Sequence, residues 1–190
     1  MNALLVETRT PIVYFNLGNN EITPKAVGYI CEALKQTNGL VHLDLSNVDA
    51  MQKNKVGWQG GKMIADYLHR ALVTPCLLQI LNLSGTTLGS KGAECVLLSM
   101  SQAIHSLHIM DLDISRNEIT FGAEHLGPLA QILSSPKSSL ERLNLSSNII
   151  GDEVMGQLAA SMGHRTALLM LKVDNCRLTF KGLCSALRHL

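Results

Sequence analysis

Leu140-Glu141-Arg142-Leu143-Asn144-Leu145-Ser146-Ser147-Asn148-Ile149-Ile150 places aliphatic residues at its first, fourth, sixth and last positions and an asparagine at its ninth. Leu143 and Leu145 alternate as inward residues of a short strand do, which leaves Asn144 facing outward. At Asn148 the chain must leave the strand, and an asparagine side chain can bond backbone groups that the turn leaves unpaired. The phrase recurs from Ile12 (Phe15, Leu17, Asn20, Ile22), Leu40 (Leu43, Leu45), Leu78 (Leu81, Leu83, Thr86, Leu88), Ile109 (Leu112, Ile114, Asn117, Ile119) and Leu168 (Leu171, Val173, Cys176, Leu178). Thr86 and Cys176 replace the asparagine and are expected to cap less well.

A stretch with helical spacing follows each turn. Ala26-Val27 leads to Ile30, Ala33 and Leu34; Gly92-Ala93 to Val96, Leu97 and Met100; Val154-Met155 to Leu158, Ala159 and Met162. Gly89 and Gly151 suit a tight corner between strand and helix. Each repeat is therefore predicted as strand, turn, helix, turn. First positions lie 28, 38, 31, 31 and 28 residues apart. The long second interval fits an insertion at 48–53, with Asn54 and Val56 resuming the pattern after a projecting loop. The expected organisation is a short N-terminal cap, 1–10, and one domain of six repeats, 11–190.

This phrase is the leucine-rich repeat signature. Repeats of this length with a full outer helix resemble the ribonuclease-inhibitor-type subfamily over nearly the whole chain. The resemblance implies an α/β fold: a right-handed solenoid, a horseshoe segment with a parallel sheet on the concave face and helices on the convex face. In that subfamily intracellular members mostly bind proteins, so a protein partner is expected.

Composition narrows the function. Sixteen Lys and Arg against fifteen Asp and Glu leave a formal charge of +1, too little to draw in nucleic acid or a membrane surface through net field. The apolar runs fall short of the roughly 20 residues that a membrane helix needs. The first eleven residues carry no basic n-region, which speaks against a secretory signal. Cys31, Cys76, Cys95, Cys176 and Cys184 are odd in number and widely spaced, as in a reducing compartment. The sequons at Asn82 and Asn144 lie within the predicted strands and read as repeat consensus.

No catalytic or metal constellation stands out, so neither enzyme chemistry nor a cofactor is expected. Gly57-Trp58-Gln59-Gly60-Gly61-Lys62 resembles a phosphate loop, but its first glycine is too close and Met63 replaces the required Ser or Thr. His105 and His108 have no further ligand at metal-binding spacing.

Outward strand positions should stack into columns. One column, Asn16, Asp44, Asn82, Asp113, Asn144 and Lys172, is small and polar. Another, Tyr14, His42, Ile80, Asp111, Arg142 and Met170 with Met110 at its flank, mixes aromatic, apolar and charged residues in the manner of docking surfaces. The inserted region supplies a second candidate in Met51 and Trp58, the sole tryptophan. At the C-terminus the last helix finishes on Ala186, Leu187 and Leu190 without a polar cap, a possible contact for an oligomer or a larger assembly.

These features point to a non-enzymatic scaffold that binds a protein partner through the concave edge, the insertion loop or the C-terminal end. Two other readings remain open. One is a GTPase-activating protein similar to the Ran GTPase activators, for which Arg116 and Asn117 would be the nearest candidates. The other is a structural subunit of a cytoskeletal, ciliary or ribonucleoprotein assembly.

Overall fold

The computed structural model describes residues 12–36, 39–48, 52–162 and 166–188. Six strands of three residues, β1 (Tyr14–Asn16), β2 (His42–Asp44), β3 (Ile80–Asn82), β4 (Asp111–Asp113), β5 (Arg142–Asn144) and β6 (Met170–Lys172), form one parallel sheet in chain order. A helix follows each strand: α1 (Pro24–Leu34), α2 (Gly57–His69), α3 (Gly89–Gln102), α4 (Ala123–Ser134), α5 (Gly151–Ser161) and α6 (Phe180–Leu187). Parallel neighbours cannot be joined by a tight turn, so each helix serves as the crossover. The result is a right-handed α/β solenoid, its sheet concave and its helices convex.

Strand register sets Phe15, Leu43, Leu81, Leu112, Leu143 and Leu171 side by side. Leu81 and Leu112 are fully buried, and Phe15 and Leu171 at the two ends only partly so. A parallel row of Leu45, Leu83, Ile114 and Leu145 is sealed completely. The helices close the core from the other side with the residues that the spacing marked, among them Ile30, Leu34, Val96, Leu97 and Leu158. Each buried aliphatic side chain contributes roughly 1.5 to 3 kcal/mol. The expected glycine corners are present, with Gly89 and Gly151 at φ 65° and 72° as the first residues of their helices.

Three turns are held by an asparagine that reaches across repeats, Asn54, Asn117 and Asn148. Asn117 Oδ1 accepts from the amides of Thr86 (2.9 Å) and Leu88 (3.0 Å), while its Nδ2 donates to the carbonyls of Leu83 and Ser115. Asn148 does the same one repeat later, toward Asn117, Ile119, Ile114 and Leu145. These bonds offset a backbone cost. Arg116 and Glu118, flanking Asn117, have φ of 58° and 56°, a region that costs a non-glycine residue about 1 to 2 kcal/mol.

Asn20 departs from the expectation. It is exposed and its side chain donates only to the Gly18 carbonyl, because no described repeat precedes it to be stitched. Its backbone amide is instead bound by Asn54 Oδ1 of the next repeat. Cys176, in the last turn, reaches the Leu145 and Asp174 carbonyls through sulfur at 3.4 Å, a weaker contact than the amide bonds elsewhere.

Candidate protein-docking surface

Tyr14, His42, Ile80, Asp111, Arg142 and Met170 are consecutive Cα partners across the whole sheet. Residues scattered over most of the chain are thus brought into one column on the concave face, with Met110 partly exposed at its flank. The two ends of this column are apolar and open: Tyr14 is 57% exposed and Met170 46%. Tyr14 packs edge-on against His42, with ring centroids 4.4 Å apart. The centre is charged. Arg142 donates through Nε to Asp111 at 2.9 Å and through Nη1 to Glu141 at 3.2 Å. The hydrogen bond to Asp111 holds the guanidinium above its ordinary pKa. Asp111, Asp113, Arg142, Met170 and Lys172 border a shallow cavity of about 150 Å³.

The neighbouring column has a different duty. The side-chain Oδ1 atoms of Asp44, Asn82, Asp113 and Asn144 each accept the amide two residues onward, which shapes the exit from the strand. Asn82 also donates to Asp44, and Asn144 to Asp113, so these side chains form a ladder along the sheet. Both sequon asparagines belong to that ladder. Since the turn consumes the second column, variation on this face is left to the first.

The residues on either side of the insertion are bonded to each other. Asn54 and Val56 are fully buried in the turn positions expected of them. Thr86 turns its hydroxyl back to the Leu83 carbonyl, and Asn47 Oδ1 accepts the Asn54 amide at 2.7 Å in place of the missing turn asparagine. Asn47 Nδ2 returns to the carbonyls of Asn54 and Gly85, pinning both ends of the loop. Val48 stands exposed beside it. Met51 lies outside the described residues, as do the predicted cap, 1–10, and Leu190.

Trp58 is not part of that loop. It is the second residue of α2, 41% exposed, with Lys91 Nζ 4.0 Å from the centre of its ring. The helix begins at Gly57, whose φ of 59° makes the corner, so the candidate stretch from Val48 to Trp58 runs past the insertion at 48–53 into the first turn of a helix. Gly57 to Lys62 accordingly forms helix rather than a phosphate loop. At the C-terminal end Phe180, Leu183 and Leu187 of α6 are exposed, while Ala186 is buried.

Asn117 is fully buried and committed to backbone bonds, which removes it from any role at a nucleotide. Among the described residues no three His, Cys, Asp or Glu side chains gather as a metal site. Cys31 is buried in the core, and desolvation pushes its thiol up to about 12. Two positions escaped the sequence reading. Asn47 gave no signal beyond a second asparagine ahead of Asn54. His125, fully buried at the start of α4, accepts from the Gly122 amide through Nδ1 and bonds the Ser90 carbonyl through Nε2 at 2.8 Å, a contact visible only once the helices are packed.

The family model described as Leucine Rich repeat matches residues 74–97 and 137–153, which hold the third and fifth strands. NACHT, LRR and PYD domains-containing protein 5 of Mus musculus is 28% identical over 202 residues, covering 93% of this chain and 17% of that protein. NACHT, LRR and PYD domains-containing protein 14 of Mus musculus is 25% identical over 214 residues, covering 99% of this chain and 20% of that protein. The chain thus spans a fifth or less of these curated relatives. Among solved structures, Leiomodin-1 Actin-Binding Site 2 (ABS2) superposes with a TM-score of 0.53 at 16% identity, covering 100% of this chain and 85% of that one, a likeness of fold. Motif, sheet and matched family agree that the chain carries leucine-rich repeats, wound into an α/β solenoid.

Proposed function

We propose that this chain is a non-enzymatic, intracellular scaffold that docks a protein partner on the concave edge marked by Tyr14, His42, Ile80, Asp111, Arg142 and Met170. The alignment of these residues carries the reading. The turns do not consume this column, and its ends expose aromatic and apolar surface with a charged centre between them, the composition of a docking face. The repeat length and full outer helices favour the ribonuclease-inhibitor type of repeat, with residues 11–190 working as one unit without cofactor, nucleic acid or membrane. The exposed α6 face offers a further contact within an assembly.

A triple variant, Tyr14→Ser, Ile80→Ser and Met170→Ser, tests the edge. Affinity capture with mass spectrometry should recover a partner with the unaltered chain and lose it with the variant, at an unchanged melting temperature. Equal recovery would discard the concave edge as the docking face.

A further inference from the structure

The helical side of the first three repeats concentrates positive charge around the tryptophan. Lys25, Lys53, Lys55, Lys62 and Lys91 are all exposed there, five of the sixteen basic residues in a chain of net charge +1. The fold gathers them. The Lys55 amide donates to the Ile22 carbonyl just ahead of α1, Gly57 stands against Pro24, and Lys91 of α3 covers Trp58 of α2. Among the described residues none of the five lysines forms an ion pair. Glu21, Glu32, Asp66 and Glu94 border the patch, with Glu32 paired to Lys35. The first turns of α1, α2 and α3 hold no acidic residue, whereas α4 has Glu124 and α5 has Asp152 and Glu153. Lysine near a helix start opposes the helix dipole, so helix stability does not account for this arrangement.

The patch continues into a groove. Between α1 and α2 lies a cavity of about 460 Å³ bordered by Lys25, Gly28, Tyr29, Glu32, Met63 and Asp66. It stays open because residue 28 is glycine: a side chain there would begin 2.9 Å from Met63 Sδ.

We propose that this helical face binds an acidic segment of a protein partner, with carboxylates on Lys25, Lys55 and Lys91 and an apolar side chain in the groove between Gly28 and Met63. Charge complementarity selects the occupant, and the partly desolvated Trp58–Lys91 pair supplies its anchor. A polynucleotide fits less well: the two exposed rings, Trp58 on α2 and Tyr29 on α1, each already carry a lysine ammonium, Lys91 at 4.0 Å and Lys25 at 5.9 Å, so they do not form a run of open platforms for stacked bases, and the groove between Gly28 and Met63 suits an aliphatic side chain. The proposal is independent of the concave edge.

The test uses a fluorescein-labelled short peptide of alternating glutamate and leucine, with a glutamine and leucine peptide as its neutral counterpart. Titration should give saturable anisotropy and, with unlabelled peptide, a change in the emission of Trp58, the sole tryptophan. Binding should weaken about tenfold in the Lys55→Glu, Lys91→Glu double variant, and again as salt rises from about 0.05 to about 0.5 M. Gly28→Leu should weaken it without charge change, and unchanged melting temperatures would show that both variants fold. Equal affinity for the neutral peptide, indifference to charge reversal, or displacement of the peptide by polyuridine at lower concentration than by its unlabelled form would overturn the proposal.

Discussion

At the scale of single residues, the buried turn asparagine accounts for most of what holds successive coils in register. Asn117 serves four backbone groups in two repeats, so Asn117→Ala strands donors and acceptors in the core. The variant should lose roughly 3 kcal/mol in urea unfolding. Thr86→Ala should cost less, since Asn47 already carries part of that turn. Cys31 gives a pH dependence of known sign. Burial raises its folded value from 9.0 to about 12, so the folded state keeps a proton that the unfolded chain releases. The stabilisation is therefore complete below pH 9 and lost as the pH climbs toward 12. Urea midpoints of Cys31→Ala should show a shallower decline over that window than those of the unaltered chain. Asn117 and Asn148 were readable in the sequence because their role follows from position in a local phrase. Asn47 was not, because it substitutes for a side chain in the next repeat.

At the scale of elements, glycine content separates two kinds of helix contact. In α2, a side chain at Gly61 would begin 2.7 Å from Leu88 Cδ1 and 2.9 Å from Gly92 Cα, so α2 and α3 approach nearly backbone to backbone. Gly61→Ala should destabilise by about 2 kcal/mol, read as a lower melting temperature. Gly156 lies within α5 with nothing within 4 Å of where its side chain would be. Gly156→Ala should instead stabilise by about 0.5 to 1 kcal/mol in the same measurement, through the unfolded chain and helix propensity. Of the glycines that imitated a phosphate loop in the sequence, Gly60 and Gly61 are thus packing residues and Gly57 makes the corner. Periodicity announced the existence of each helix, but not that α2 begins at Gly57 and draws Trp58 out of the insertion. That boundary depends on Gly57 turning its amide to the Thr86 carbonyl in the adjacent coil.

At the scale of the whole molecule, stability is a sum of repeats and the contacts between neighbours. Leu112 is packed between coils on both sides, and Leu112→Ala should cost about 3 kcal/mol or more in urea unfolding. Leu171, in the last and only partly covered repeat, should lose distinctly less on the same change. Equal losses at both sites would contradict a core built from nearest-neighbour stacking. The order of residues alone determined the repeat, the direction each strand residue faces and the inward row of Phe15 and five leucines, because all three follow from periods of a few residues. Tertiary structure alone decided that Arg142 is tied to Asp111, that Asn47 completes a turn which Thr86 cannot reach, and that Lys91 lies over Trp58. The first and last of these join side chains about a full repeat apart, and Asn47 is called on only because Thr86 of the next coil turns its hydroxyl away, so the geometry exists only after one coil has settled on the next.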